Sequence, residues 1–362
     1  MLKRFNLSYF LLPVIAVLFS ACATTNKPVI ESFITPPPPS EPKIVYLKRY
    51  RGESDFNKGN ALDQFIGSAG GFNSKDIVKP YGVAVHENKI YVADTAMGVV
   101  FVFHPETKKV TFLGDQPSGK LGQPIGIALD GDANVYVTDS KLQRVFGYDK
   151  TGKLIFSLGE KNEFIRPTGI AINKNAQMMY VVDTKGHNIK VYSLDGTALF
   201  EFGKRGKGEG EFNFPTNIAV DERNGNIVVV DTQNFRVQIF DQDGNFIQTF
   251  GQLGDVPGMF SRPRGVAIDS EGNIYISDAS FDNIQVFNDQ GELLLYFGSA
   301  GYAAGQFQMP AAMTFDEQDR LYVTENFAGK VQVFQYIGDL FKANNPEQYK
   351  RLMKSREAED DY

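Results

Sequence analysis

The chain has 362 residues, 42% of them hydrophobic and 22% charged, a balance that excludes disorder throughout. A net charge of −6 argues against general nucleic-acid binding, which relies on clustered Lys and Arg to displace counterions. Thirty Phe and 16 Tyr with no Trp, beside 35 Gly and 17 Pro, point to sheet with many turns rather than a helical bundle.

At the N-terminus, Lys3 and Arg4 precede an apolar run, LSYFLLPVIAVLF, that ends at Ser20-Ala21-Cys22. A basic start, a short apolar core and small residues before a cut site define a secretory signal rather than a stable span. With the cut before Cys22, the pattern resembles the bacterial lipoprotein signal, in which the cysteine thiol is acylated. Phe19 departs from that pattern, which has Leu, Val or Ile there. The resemblance implies Cys22 as the lipidation site, a cell-envelope address and, with Ala23 rather than Asp following, an outer-membrane lipoprotein facing periplasm or surface. Cys22 is the only cysteine, so no intrachain disulfide exists. The following ATTNKPVIESFITPPPPSEPK has four prolines, Pro36 to Pro39, that favour an extended spacer of roughly 3 Å per residue.

From Pro80 onward one unit repeats six times. Its opening prolines are Pro80, Pro124, Pro167, Pro215, Pro263 and Pro310, spaced 44, 43, 48, 48 and 47 residues apart. Each proline leads into a small-apolar run such as YGVAV, IGIAL or RGVAI. A turn and a second run ending in an acid follow: KIYVAD, NVYVTD, MYVVD, IVVVD, NIYISD and RLYVTE. A third run ends in an aromatic, and a fourth stops at Leu113-Gly114, Leu158-Gly159, Phe202-Gly203, Phe250-Gly251 or Phe297-Gly298. Short strands at this period, without helical periodicity, predict an all-β, six-bladed propeller whose blades bury their faces against one another.

The sixth unit lacks its fourth strand. Closing the ring requires an outside strand, and two N-terminal segments compete for the place, Ile44–Tyr50 and the LDQFIGSAGGF run at 62–72. The first is preferred, with Leu62–Ile66 as a short connector or helix. The division is therefore a signal peptide over 1–21, a lipid-anchored Pro-rich tether over 22–43, the propeller over 44–338 and a charged tail over 339–362, in which Pro346 to Glu359 read as a helix.

The recurring P-x-G-[IV]-A-[VI]-D…IYV-x-D-x-x-N-x-R-[IV]-Q-V-F…FG, best seen in PTNIAVDERNGNIVVVDTQNFRVQIFDQDGNFIQTFG at 215–251, resembles the NHL-repeat family of six-bladed propellers. The likeness covers residues 79–337. The whole arrangement resembles bacterial NHL-repeat lipoproteins, and it specifies a scaffold rather than an activity.

Asp94, Asp139, Asp183, Asp231, Asp278 and Glu325 close the second strands. They read as structural, accepting backbone N–H bonds in the following turn and pairing with a base five residues on where one exists: Arg144, Arg236 and Lys330. Enzymes related to the NHL fold, the peptide-amidating lyases, hold zinc by histidines in the central cavity. Here His86, His104 and His187 fall on two different faces, so a zinc site is not expected. First strands of Gly, Ala, Val, Ile and Thr, with Asn217 the exception, offer no calcium ligands. No G-x-S-x-G elbow is present, and GKRGKGEGEF at Gly203–Phe212 is a repeat junction, not a phosphate loop. No catalytic residue, metal or cofactor is expected.

A binding face is the better candidate. The loops entering the first strands and those joining the second to the third share one face of a propeller. They place Lys79, Tyr81, Arg166, His187, Phe235, Arg262, Arg264, Phe281 and Phe327 there, with Lys141 and Lys185. Cations beside aromatics suit an acidic protein segment or an anionic glycan. The expected function is a non-enzymatic, membrane-anchored scaffold that binds envelope proteins, in a secretion, polysaccharide or electron-transfer assembly. A lyase or hydrolase with a channel metal and a carbohydrate-binding module are the alternatives.

Overall fold

The structure, a computed structural model, describes residues 33–35, 43–56 and 75–352. Cys22, the signal segment and the competing segment at 62–72 lie outside the described residues.

Six small antiparallel sheets form the fold, five of four strands and one of five. Blade 1, for example, comprises Pro80–His86, Lys89–Asp94, Val99–His104 and Lys109–Leu113. The innermost strands of successive blades lie side by side, and that of blade 6, Pro310–Phe315, adjoins that of blade 1. The ring is closed. Its closing strand is Ile44–Tyr50, which pairs antiparallel with Lys330–Tyr336, as the missing fourth strand of the sixth repeat demanded. A short strand, Phe33–Thr35, pairs outside it, within the segment read as tether.

Six apolar clusters hold the ring together, each made by two neighbouring blades. Tyr91, Val100 and Val102 of blade 1 meet Ile127, Val135 and Val137 of blade 2. Between blades 5 and 6, Ile44 and Tyr46 of the closing strand join Tyr275, Phe297 and Phe334. A blade exposes two apolar faces when alone, so burial is shared between neighbours around the circle. A seventh cluster lies outside blade 6, where Phe341 of the helix Asp339–Asn344 packs on Val45 and Ile337. The chain is helical again from 346 through 352.

Two glycine positions show why the repeat is written as it is. At the aromatic–glycine stop, Gly251 has a φ of +87°, and any Cβ there would strike the ring of Phe260. Phe260 is fully buried and lies in the cluster between blades 4 and 5. In the innermost strand, a Cβ on Gly265 would run into the carbonyl oxygen of Ala311 in the next blade. Small side chains there let adjacent backbones close up, and hydroxyls fasten them. Thr138 donates to the Thr168 carbonyl, Ser277 to that of Ala311 at 2.7 Å, and Thr324, across the closure, to that of Tyr81 at 2.6 Å.

Candidate interaction face

Each innermost strand runs from its proline to the first turn, so the propeller has two unlike ends. The upper face carries the loops that lead into the prolines and the turns between second and third strands. The lower face carries the turns after the first and third strands.

On the upper side, the acid ending each second strand is a fastener. Asp278 accepts backbone N–H bonds from Ser261 and Arg262 on the incoming loop and from Ser280 and Phe281 on the following turn. Asp94 and Asp139 do the same in blades 1 and 2, and Asp183 takes Ile165, Arg166 and Gly186. Of the three ion pairs expected, two form: Arg236 with Asp231 at 3.0 Å and Lys330 with Glu325 at 3.2 Å, the latter pair almost wholly buried. Arg144 instead donates to the Ser157 hydroxyl at 3.1 Å, because four backbone N–H groups already occupy Asp139. Burial pushes the carboxyls of Asp231 and Glu325 above their ordinary range, against the pull of those cations and donors.

The channel is a cavity of about 380 Å³. Its wall is Gly82, Ala84, Gly126, Ala128, Val266 and their counterparts, as the sequence of the first strands indicates. Acids of the lower turns, among them Asp130, Asp221, Asp269 and Asp316, rim one end. These are turn residues with their oxygens already engaged. Asp269 accepts the N–H groups of Glu271 and Asn273 on one oxygen and the Asn273 amide and Tyr275 hydroxyl on the other. Asp130 repeats this with Asp132, Asn134 and Tyr136. Among the described residues, no three His, Cys, Asp or Glu side chains are grouped so as to hold a metal ion. His86 and His104 end strands on the lower face, the latter bonded to the Thr111 hydroxyl at 2.9 Å, while His187 is on the upper side.

The residues assigned to the upper face divide into three groups by exposure. Lys79, Lys141, Arg166, Lys185, Arg262 and Phe327 are exposed, Phe327 by 69%. Tyr81, Phe235, Arg264 and Phe281 are half-buried. His187 is only 7% exposed. Its Nδ1 accepts the Phe214 N–H at 3.2 Å and the two rings meet at 4.6 Å, so it secures the junction of blades 3 and 4.

Sequence reasoning missed most of the apolar part of this face. Of fourteen exposed large apolar residues among those described, eight lie in upper loops: Val78, Met97, Leu142 and Ile165, then Leu253, Val256, Tyr302 and Phe327. Five more sit on outer strands and one on the C-terminal helix; none lies on the lower face. The signal was present in the repeat junctions, which vary in length and carry apolar residues where a solvated loop has no use for them.

A family profile described as the teneurin NHL domain matches residues 113–319, more than half of the chain. The chain belongs to the teneurin NHL domain family. The match covers the end of blade 1 through the first strand of blade 6. No curated protein sequence matches this NHL propeller. Among solved structures it is similar to a protein of unknown function from Bacteroides thetaiotaomicron, at 17% identity, a TM-score of 0.58 and coverage of 73% of this chain and 70% of the other. A gluconolactonase from Xanthomonas campestris is similar at 16% identity and a TM-score of 0.57, over 72% and 87% of the two chains. Virginiamycin B lyase from Staphylococcus aureus, solved with quinupristin, is similar at 14% identity and a TM-score of 0.53, over 72% and 95%. At these identities the likeness is one of fold.

Proposed function

We propose that this NHL propeller is a non-enzymatic docking module, held at the bacterial cell envelope by a lipid on Cys22 and binding another protein through its upper face. One observation carries the reading: the exposed apolar side chains of the loops are collected on one end of the ring, among Lys79, Arg166 and Arg262. Apolar loop residues without an intramolecular role are what a protein interface uses. The channel offers the other candidate location, but its middle wall is small and aliphatic, and Asp130 and Asp269 at its lower rim are consumed by their own turns. The envelope address rests on Lys3, Arg4, the apolar run and Cys22. No described helix is long and apolar enough to cross a membrane.

The test is cross-linking and recovery of the intact chain from solubilised membranes. Phe327→Glu with Tyr302→Glu should abolish capture of the partner, since both side chains are 69% exposed and their loss leaves the ring intact. Cys22→Ser should release the protein from the membrane fraction. Partner capture by the double variant at the wild-type level would refute the face.

A further inference from the structure

Two rings of side chains surround the upper end of the channel, set by the register of the repeat. Residues before the prolines are Lys79, Gln123, Arg166, Phe214, Arg262 and Met309. Those after them are Tyr81, Ile125, Thr168, Thr216, Arg264 and Ala311. Neither ring contains a carboxylate. In the inner ring the threonines are engaged: Thr168 bonds Thr184 and the Thr216 carbonyl, and Thr216 bonds Thr232 and the Arg264 carbonyl. Arg264 is the one charged member, and it is half-buried.

Its guanidinium makes no hydrogen bond or ion pair with any described residue, and only its carbonyl is used. Arg236 and Arg320, also half-buried, are each paired with an aspartate, at 3.0 and 2.6 Å. The carboxylate whose field acts on Arg264 is that of Asp278, already occupied by four backbone N–H groups. Arg262 adds a second cation beside it, and Tyr81 stands close enough to act on it electrostatically. Burial lowers the Arg264 pKa, and the fields of Tyr81 and Asp278 offset this only in part. A desolvated cation lacking a partner costs stability, and a counter-charge arriving from outside would remove that cost.

We infer that the upper channel mouth around Arg264 is a carboxylate-binding site for an acidic segment of a partner protein. The inference rests on the docking face proposed above and names the chemistry it selects. Arg264 presents a planar fork to the carboxylate, with Arg262 and Lys79 drawing the segment in. Val78 and Phe327 receive the neighbouring apolar side chains; they adjoin the mouth because Asn326 donates to the Pro80 carbonyl at 3.0 Å. The aliphatic share of the face favours a peptide over a polyuronate, whose hydroxyls would lose water against Val78, Met97 or Ile165 without gaining bonds.

The experiment uses the full chain in detergent and a glutamate–tyrosine copolymer as probe, with polygalacturonate in parallel, binding being read by fluorescence anisotropy at low and high salt. The copolymer should bind, more weakly at high salt. Arg264→Met should weaken it by about tenfold or more, while Arg223→Met on the lower face leaves it unchanged. Arg264→Met should also melt no lower than the wild type, since it removes an unpaired cation while keeping an unbranched apolar stem in its place. Unchanged copolymer binding by Arg264→Met, tighter binding of polygalacturonate, or a marked drop in melting temperature would each overturn the site. Unchanged binding in Arg264→Met, alongside lost partner capture in the Phe327 and Tyr302 double variant, would leave the docking face standing and remove only the carboxylate site.

Discussion

Asp269 shows how an acid at the channel rim can be structural and still titrate in a useful range. Four donors converge on its carboxylate, yet burial dominates and raises its pKa to about 6. The unfolded chain titrates near 4, so between those values the folded state binds the extra proton. Asp269 therefore stabilises the fold fully below about pH 4, and that contribution is lost as pH rises through about 6. Its ceiling is about 3 kcal/mol. Urea midpoints measured from pH 4 to 7 should fall more steeply for the wild type than for Asp269→Asn, which cannot titrate. Parallel curves for the two proteins would mean that the four donors hold the carboxylate ionised throughout. Asp278 and Asp94, at the ends of second strands, accept the backbone N–H groups of the loops that lead into their own blades.

Among elements, strands were legible in the sequence and loops were not, and the helix Asp339–Asn344 lies between these cases. The charged tail predicts a helix over Pro346 to Glu359, which starts only after Asp339–Asn344 has ended. In the structure Phe341 is 4% exposed, packed on Val45 of the closing strand, and Glu271 of blade 5 accepts the Asp339 N–H at 2.7 Å and the Tyr336 hydroxyl at 2.7 Å. The helix clamps the strand that closes the ring. Phe341→Ala should cost about 3 kcal/mol in urea denaturation, and a loss under about 0.5 kcal/mol, the level of an ordinary surface change, would make the helix ornamental. Strands could be read because six copies in phase display the alternation and glycine positions that blade packing imposes. The Arg144 pairing failed because spacing along the chain does not reveal that Asp139 is already saturated by backbone donors. His187 was placed on the surface because its cover, Phe214, stands where the other repeats have Lys79, Gln123, Arg166, Arg262 and Met309, so the repeat pattern does not announce an aromatic there. The aliphatic loop residues went unread because the reading of the face followed cations and aromatics, although Met97 and Leu142 hold the same place in their turns as Phe281.

For the whole molecule, closure decides how stability is shared. Each of the six clusters around the ring belongs to two blades, so a ring has no terminal unit whose outer face must be made polar. The seam runs through blade 6, where Ile44 and Tyr46 serve the cluster shared with blade 5, and Tyr50 serves the one shared with blade 1. Removing the strand withdraws apolar side chains from both clusters, each worth about 1.5–3 kcal/mol when fully buried. It also leaves Lys330–Tyr336 as an unpaired edge open to another chain. A chain beginning at Arg51 should therefore melt on the order of 10 °C lower, lose hydrogen-exchange protection first along Lys330–Tyr336, and associate at concentrations where the full chain stays monodisperse. Blades 5 and 1 should lose protection next, and blade 3, farthest from the seam, last. If the shortened chain melts as the full one does, another segment has taken the edge, and the LDQFIGSAGGF run that follows in the sequence is the one to delete next. If blade 3 opens together with blade 6, the ring is a single cooperative unit, and the clusters act through the whole circle rather than between neighbours.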